Sequence, residues 1–261
     1  MKGLYKIILR KDLKVVLGNK MIWLPMLILP VIFAVIFPTV FFIIAQFPDS
    51  TNDLGGLASK LGIDTGQYND SQLLLLFVFN YMMPTFFLLI PILSASVLAG
   101  SSFVGERENK TIETLLYSPI KVRDLFLAKI YGSFIPAYAV TLFSFILFSI
   151  VTMIGQGFYF AEWFFPNLKW AVLILWVSPA ISIFAILIMI ISSAKSKNFQ
   201  EAQQKIALII LPVIALTIGQ ATGLFTLGTL VLIILGLVIF IVNYLLLTAA
   251  ANSFVPEKLI K

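Results

Sequence analysis

Six long apolar stretches dominate this sequence, and none of them carries an aspartate, glutamate, lysine or arginine in its interior. Each is long enough, or nearly so, for the roughly 20 residues by which a helix crosses a bilayer. The pattern predicts an all-α polytopic membrane protein with about six transmembrane helices. Only residues 223–225 separate the last two stretches, which predicts either a tight hairpin or a re-entrant pair. The predicted spans are 21–45, 72–99, 130–154, 170–192, 206–222 and 226–250.

Composition supports a single transmembrane domain over residues 1–261. The chain is 60% hydrophobic and 11% charged, whereas a soluble domain carries roughly a quarter charged residues. Its 261 residues suit one helical bundle without a separate soluble enzyme domain. Cysteine and histidine are both absent, which excludes disulfides, thiolate catalysis and imidazole metal ligands. We therefore expect no catalytic residue and no metal site in this chain.

The distribution of basic residues predicts the orientation of the bundle. Of the 18 lysines and arginines, 16 fall on one side of the predicted spans, and only Lys60 and Lys169 fall on the other. Basic loops face the cytoplasm. We therefore expect both termini in the cytoplasm and a multi-pass protein of the plasma membrane. Residues 1–20 are basic and amphipathic at helical period, which predicts a helix lying on the inner leaflet.

The spans offer few groups for binding an ion. An ion-coupled carrier usually needs an ionisable group within the membrane, and the predicted spans contain none. Asn80 and Asn243 are the two amides of greatest interest, because a lone amide in hydrocarbon needs a partner across a helix interface. They are candidates either for helix contacts or for a substrate path.

The segment 105–119, with the sequence G-E-R-E-N-K-T-I-E-T-L-L-Y-S-P, carries the most information about function. Glu106 and Glu108 are expected at the start of a short helix, where carboxylates complement exposed amides. Leu115 and Leu116 follow at helical spacing and give this helix an apolar ridge. On the membrane surface such a helix is a docking surface for a soluble partner, or alternatively a solvated connector.

This segment resembles the pattern E-R-E-x-x-T-x-E-x-L-L-x-[ST]-P that follows the second span in permeases of the type-2 family of ATP-binding-cassette transporters. The N-terminal amphipathic segment is similar to the elbow helix of that family. A second cytoplasmic segment is similar to the family's loop before the fifth span. The matching residues of that second loop are Asn198, Glu201, Ala202 and Gln203.

The resemblance implies a permease subunit of an ATP-driven exporter in a prokaryotic membrane. Such a permease pairs with a second copy or a paralogue and docks a separate ATPase subunit, which holds the ATP and Mg²⁺. This chain itself then needs no cofactor, and its other partner is membrane lipid rather than nucleic acid. The coupling helix would be formed or braced by Glu106, Arg107, Glu108, Lys110, Thr111, Glu113, Leu115, Leu116, Ser118 and Pro119.

Several substrates and two other classes of function stay open at this point. The combination of motifs is most similar to sodium-extrusion permeases of the NatB type, which carry a larger extracellular insert than residues 46–70 of this chain. Permeases that export peptides, lantibiotics or hydrophobic drugs share the motifs. The alternatives are a secondary transporter or channel driven by an ion gradient, and a membrane scaffold that transports nothing.

Overall fold

The protein folds into a bundle of long helices, and no strand occurs among the residues that the structure describes. Apolar segments that enter lipid must satisfy every backbone polar group internally, and a helix does so. The all-α polytopic membrane fold predicted from the apolar stretches is therefore confirmed. The structure is a computed structural model, and it describes residues 18, 20–47, 66–108, 122–193 and 199–253.

Ten α-helices make up the described part of the bundle. The predicted amphipathic segment 1–20 lies outside the described residues, apart from positions 18 and 20. In chain order the helices are α1 (Lys20–Val31), α2 (Phe37–Ile44), α3 (Asp70–Phe77), α4 (Met83–Phe87), α5 (Leu89–Glu108), α6 (Val122–Tyr159), α7 (Leu168–Val172), α8 (Ser178–Ser193), α9 (Phe199–Ala221) and α10 (Thr229–Ser253).

Several of these helices join end to end into longer spans. Helices α1 and α2 form the first span, α3 to α5 the second, α6 the third, and α7 with α8 the fourth. Among the described residues, five segments are long and apolar enough to cross a membrane. They are Met26–Ile44, Asp70–Phe103, Leu127–Gln156, Leu168–Ser192 and Thr229–Thr248.

Helix α9 differs from the span predicted at 206–222. It is a helix of 23 residues, but its apolar part is the shorter segment Ile210–Ala221. Polar and charged residues, including Glu201 and Lys205, occupy its first two turns. The helix therefore begins well before the predicted span, and the apolar stretch alone is too short to meet the length of a span.

A turn separates α9 from α10. Gly223 adopts a φ of 71°, a conformation that glycine reaches without strain. The Leu224 N–H donates to the Gly219 carbonyl at 3.0 Å, which satisfies one of the last carbonyls of α9. The two final apolar stretches are thus separate helices joined by residues 222–228.

The second and fourth spans form the core of the bundle. In their apolar windows 72% and 61% of the residues are buried, against 22% in the first and third spans and 17% in α10. The second span packs against the third span, the fourth span and α9. The apolar side chains of the first span, the third span and α10 that point outward are exposed, as expected for surfaces that face lipid.

Hydrogen bonds between spans define the two ends of the bundle. At one end the Tyr159 hydroxyl donates to the Phe42 carbonyl at 2.7 Å, and the Gln72 amide donates to the Tyr159 carbonyl at 2.7 Å. At the other end the Lys129 ammonium donates to the Ser102 carbonyl at 3.1 Å. Following the orientation predicted from charge, these are called the outer and the inner end.

The close approach of α2 and α6 generates a first prediction. A Cβ added at Gly155 would overlap the ring of Phe42, whereas one added at Gly157 would meet open space. We expect Gly155→Ala to lower the free energy of unfolding by about 1–3 kcal/mol through overpacking. Gly157→Ala should leave it unchanged or raise it by up to about 1 kcal/mol. Unfolding of the purified protein by SDS measures both, and equal midpoints for the two variants would contradict this packing.

Candidate functional site

In the part of the chain that the structure describes, three spans each contain one five-residue π-helical turn, and each turn ends two residues before a proline. Proline has no N–H, and its ring clashes with the carbonyl four residues earlier in an α-helix. In all three turns the residue before the proline donates its N–H to the carbonyl five residues back, which widens the helix there. The pairs are Ile32–Ile36 with Pro38, Val78–Met82 with Pro84, and Leu173–Val177 with Pro179.

Side chains of the fourth span hydrogen-bond to the carbonyls exposed by Pro84. Pro84 has no N–H to offer to the carbonyls of Phe79 and Asn80, which lie five and four residues before it. The indole N–H of Trp170 donates to the Phe79 carbonyl at 3.2 Å, and the Lys169 ammonium donates to the Asn80 carbonyl. Trp170 is fully buried. Two neighbouring residues of α7 thus donate the hydrogen bonds that Pro84 cannot supply to the second span.

Polar side chains of α6 and α9 also contact the π turns of the fourth and second spans. The Tyr138 hydroxyl of α6 donates to the Ile174 carbonyl at 3.1 Å, five residues before Pro179. The Gln220 amide of α9 donates to the Thr85 hydroxyl at 2.7 Å, and that hydroxyl donates to the Tyr81 carbonyl at 3.1 Å. The π turns therefore connect the second and fourth spans to α6 and α9 through directional bonds.

The two asparagines selected from the sequence both join helices. The side-chain oxygen of Asn80 accepts a hydrogen bond from the Asn167 amide at 2.8 Å. The Asn243 amide of α10 donates to the Ala180 carbonyl of α8 at 2.7 Å. The side-chain oxygens of Asn243 and Gln220 are buried and have no partner among the described residues. Each of these amides thus bridges two elements of the bundle.

Trp170 also lies at the centre of an aromatic cluster at the outer end. Its ring centroid is 4.6 Å from that of Phe148 in α6 and 5.5 Å from that of Phe87 in α4. Phe145 and Phe165 lie within 5.9 Å and 5.6 Å of it. Aromatic pairs at these separations stabilise beyond the area they bury. The cluster ties the second, third and fourth spans together beside the π turn of the second span.

The described parts of the two motif segments lie at the inner end of the bundle. Glu106, Arg107 and Glu108 form the last turn of α5, and Glu201, Ala202 and Gln203 lie near the start of α9. The expectation that Glu106 and Glu108 begin a helix is wrong, because the helix of the second span continues through them. The remaining motif residues, Lys110, Thr111, Glu113, Leu115, Leu116, Ser118, Pro119 and Asn198, lie outside the described residues.

The antiparallel packing of α5 and α9 places these two motif portions at the same end. The hydrogen bond between Thr85 and Gln220 joins the middle of the second span, at α4, to the last turn of α9, and α9 packs along α5 from there. Glu106 lies 21 residues after Thr85, and Glu201 lies 19 residues before Gln220. At about 1.5 Å per residue, both lie about 30 Å from that bond, in the same direction.

The sequence does not predict which side chains donate hydrogen bonds at the π turns. These donors are Lys169, Trp170, Tyr138 and Gln220. A proline inside an apolar segment does signal that nearby carbonyls need another donor. The sequence does not say which side chain supplies it, because the donors to these carbonyls come from 36 to 91 residues away in the chain. The contact is a property of the packed bundle.

Comparison with known proteins gives one family match. Residues 64–222 match the model of a family described as ABC-2 family transporter protein. The matched region runs from before α3 to the end of α9 and so contains both motif segments. Searches of curated proteins and of solved structures gave no significant match.

The bond from Trp170 generates a second prediction. Trp170→Phe keeps an aromatic ring but removes the donor to the Phe79 carbonyl, and we expect a loss of about 1–3 kcal/mol in the free energy of unfolding. Trp163→Phe is the matched control, because Trp163 is 64% exposed. SDS unfolding of the two variants measures the difference. A Trp170→Phe protein as stable as the control would show that the indole donor contributes nothing.

Proposed function

Because the chain belongs to the ABC-2 family of transporter proteins, we propose that it is the permease subunit of an ATP-driven exporter. One observation carries this proposal: the Glu106–Glu108 turn and the start of α9 lie at the same end of the bundle. A soluble subunit that binds there can contact both segments at once. The ATP and Mg²⁺ belong to that subunit, and the permease pairs with a second copy or a paralogue in the cytoplasmic membrane of a prokaryote.

The charges of the spans favour an energy source outside this chain over coupling to an ion gradient. Lys129 and Lys169 lie towards opposite ends of the second span, and Asp70 lies at its first residue. Within the described spans no acidic side chain lies away from the helix ends. A proton- or sodium-coupled carrier usually depends on such a group. We therefore place the driving step in the ATPase, whose movement on ATP binding and hydrolysis would shift the bundle between inward- and outward-facing states.

We further propose that the substrate is an amphipathic molecule, such as a peptide or a hydrophobic drug, rather than sodium. Carbonyls of broken helices can coordinate Na⁺, but the carbonyls of Phe79, Asn80 and Ile174 already accept hydrogen bonds from side chains. A groove of about 610 Å³ lies instead between α2 and α6 at the outer end. Its walls are mainly apolar, with Thr39, Gln46 and Tyr159 as polar members, which suits an amphipathic molecule.

A third prediction concerns the docking segment. Leu115→Asp or Leu116→Asp should weaken association with the ATPase subunit about tenfold or more, since an apolar contact would be replaced by a charge. Glu108→Ala should reduce transport as well. Glu162→Ala is the control, because Glu162 is exposed at the outer end. Co-purification of the ATPase from native membranes measures association, and binding unchanged in all three variants would refute the coupling assignment.

A fourth prediction concerns orientation. The chain has no cysteine, so a single introduced cysteine reports its own position. In intact cells a membrane-impermeant maleimide should label Asp53→Cys and should not label Thr114→Cys. After permeabilisation both should react equally well. The reverse pattern in intact cells would place the proposed coupling segment outside, where no ATP-dependent subunit could bind it.

A further inference from the structure

Two lysines hold the second span with the same local geometry, one near each end. Lys129 of α6 donates to the Ser102 carbonyl at 3.1 Å, and its ammonium lies 4.8 Å from the ring centroid of Phe103. Lys169 of α7 donates to the Asn80 carbonyl and lies 4.9 Å from the ring centroid of Tyr81. In both cases the ammonium binds the carbonyl of one residue and covers the ring of the next.

The inner lysine is the more deeply buried of the two. Lys129 is only 6% exposed, whereas Lys169 is partly exposed. Removing an ammonium from water is costly, and a leucine or methionine at this position could fill the same space without that cost. The ammonium offers what an apolar side chain cannot, namely a directional bond to a carbonyl and attraction to the face of an aromatic ring.

The position of Lys129 relates it to the motif segment. Ser102 lies six residues before the end of α5 at Glu108, and Lys129 lies seven residues after the start of α6 at Val122. Both therefore lie about 10 Å along their helices from residues 109–121, which connect α5 and α6. The hydrogen bond from Lys129 therefore joins α5 and α6, the two helices that flank this segment.

We propose that Lys129 is a positioning residue that transmits movement of the Glu106–Glu108 turn of α5 into the bundle, an inference that rests on the proposed function. Helix α6 runs without interruption from Val122 to Tyr159 and ends at the groove beside α2. Because Lys129 joins α5 to α6, a displacement of the Glu106–Glu108 turn moves the second and third spans as one unit. Without this bond α5 can shift against α6 at the inner end although the two helices still pack together, and the displacement is then not passed to the groove.

The test compares Lys129→Met with Lys129→Arg and with Lys169→Met. The first removes the ammonium with little change in length, the second keeps a cation, and the third removes the equivalent bond at the outer end. Phe103→Leu, which removes the ring but keeps an apolar side chain, serves as a second variant if Lys129→Met folds poorly. Each is made with Gln46→Cys as the reporter, since Gln46 lines the groove and the chain has no other cysteine.

The measurement is the rate at which a membrane-impermeant maleimide labels Gln46→Cys in the complex with the co-purified ATPase, with and without ATP and vanadate. We expect ATP to change this rate in the otherwise unaltered protein, in Lys129→Arg and in Lys169→Met. In Lys129→Met the change should be lost, and in Phe103→Leu reduced, while the ATPase remains bound and hydrolyses ATP.

The possible failures are distinguishable. An ATP-dependent change that persists in Lys129→Met refutes the transmitting role and leaves the proposed function intact. Loss of ATPase binding in Lys129→Met would make the lysine part of the docking surface and would also refute transmission. If no ATPase co-purifies with the unaltered protein, the proposed function fails, and the role of Lys129 fails with it.

Discussion

The structure depends on one constraint, which is that a backbone carbonyl left without a partner in an apolar bundle must find a donor elsewhere. Prolines in the first, second and fourth spans create such carbonyls, and the helices respond by widening into π turns. In the second and fourth spans the donors come from Trp170, Lys169 and Tyr138. The prolines therefore specify contacts between spans as well as local bends.

Because of these contacts, the second span is the central element of the packed bundle. It is the most buried of the spans, and it is bound at the outer end by α7 and at the inner end by α6. It also ends in Glu106–Glu108, the described part of the segment that resembles a coupling helix. An element that touches the proposed docking surface at one end and the aromatic cluster at the other is well placed to carry movement between them.

The sequence predicts the fold class because length and apolar composition alone decide which segments can enter lipid. It predicts helix ends less well. The polar residues of the Glu106–Glu108 turn suggested a new helix, but the hydrogen bonds of α5 simply continue through them. Similarly, α9 begins before its apolar stretch, since Glu201 and Lys205 are compatible with a helix that protrudes from the apolar layer.

In the candidate site, too, the sequence predicts some features and not others. Prolines and amides within apolar stretches are visible in the sequence, which is why it predicts Asn80 and Asn243 as candidates. Their partners are not visible, because Asn167 and Ala180 lie 87 and 63 residues away. Lys129 looks like one more basic residue of a cytoplasmic loop until packing buries it against Ser102 and Phe103.

The most direct test of the central claim, that this permease moves substrate with energy from a separate ATPase, is transport in proteoliposomes. The purified chain is reconstituted with and without its co-purified ATPase, and the flux of fluorescent amphipathic peptides and of ²²Na⁺ is followed. We expect peptide flux that requires both the ATPase and ATP and that is independent of an imposed ion gradient. Flux driven by an ion gradient without the ATPase would contradict it.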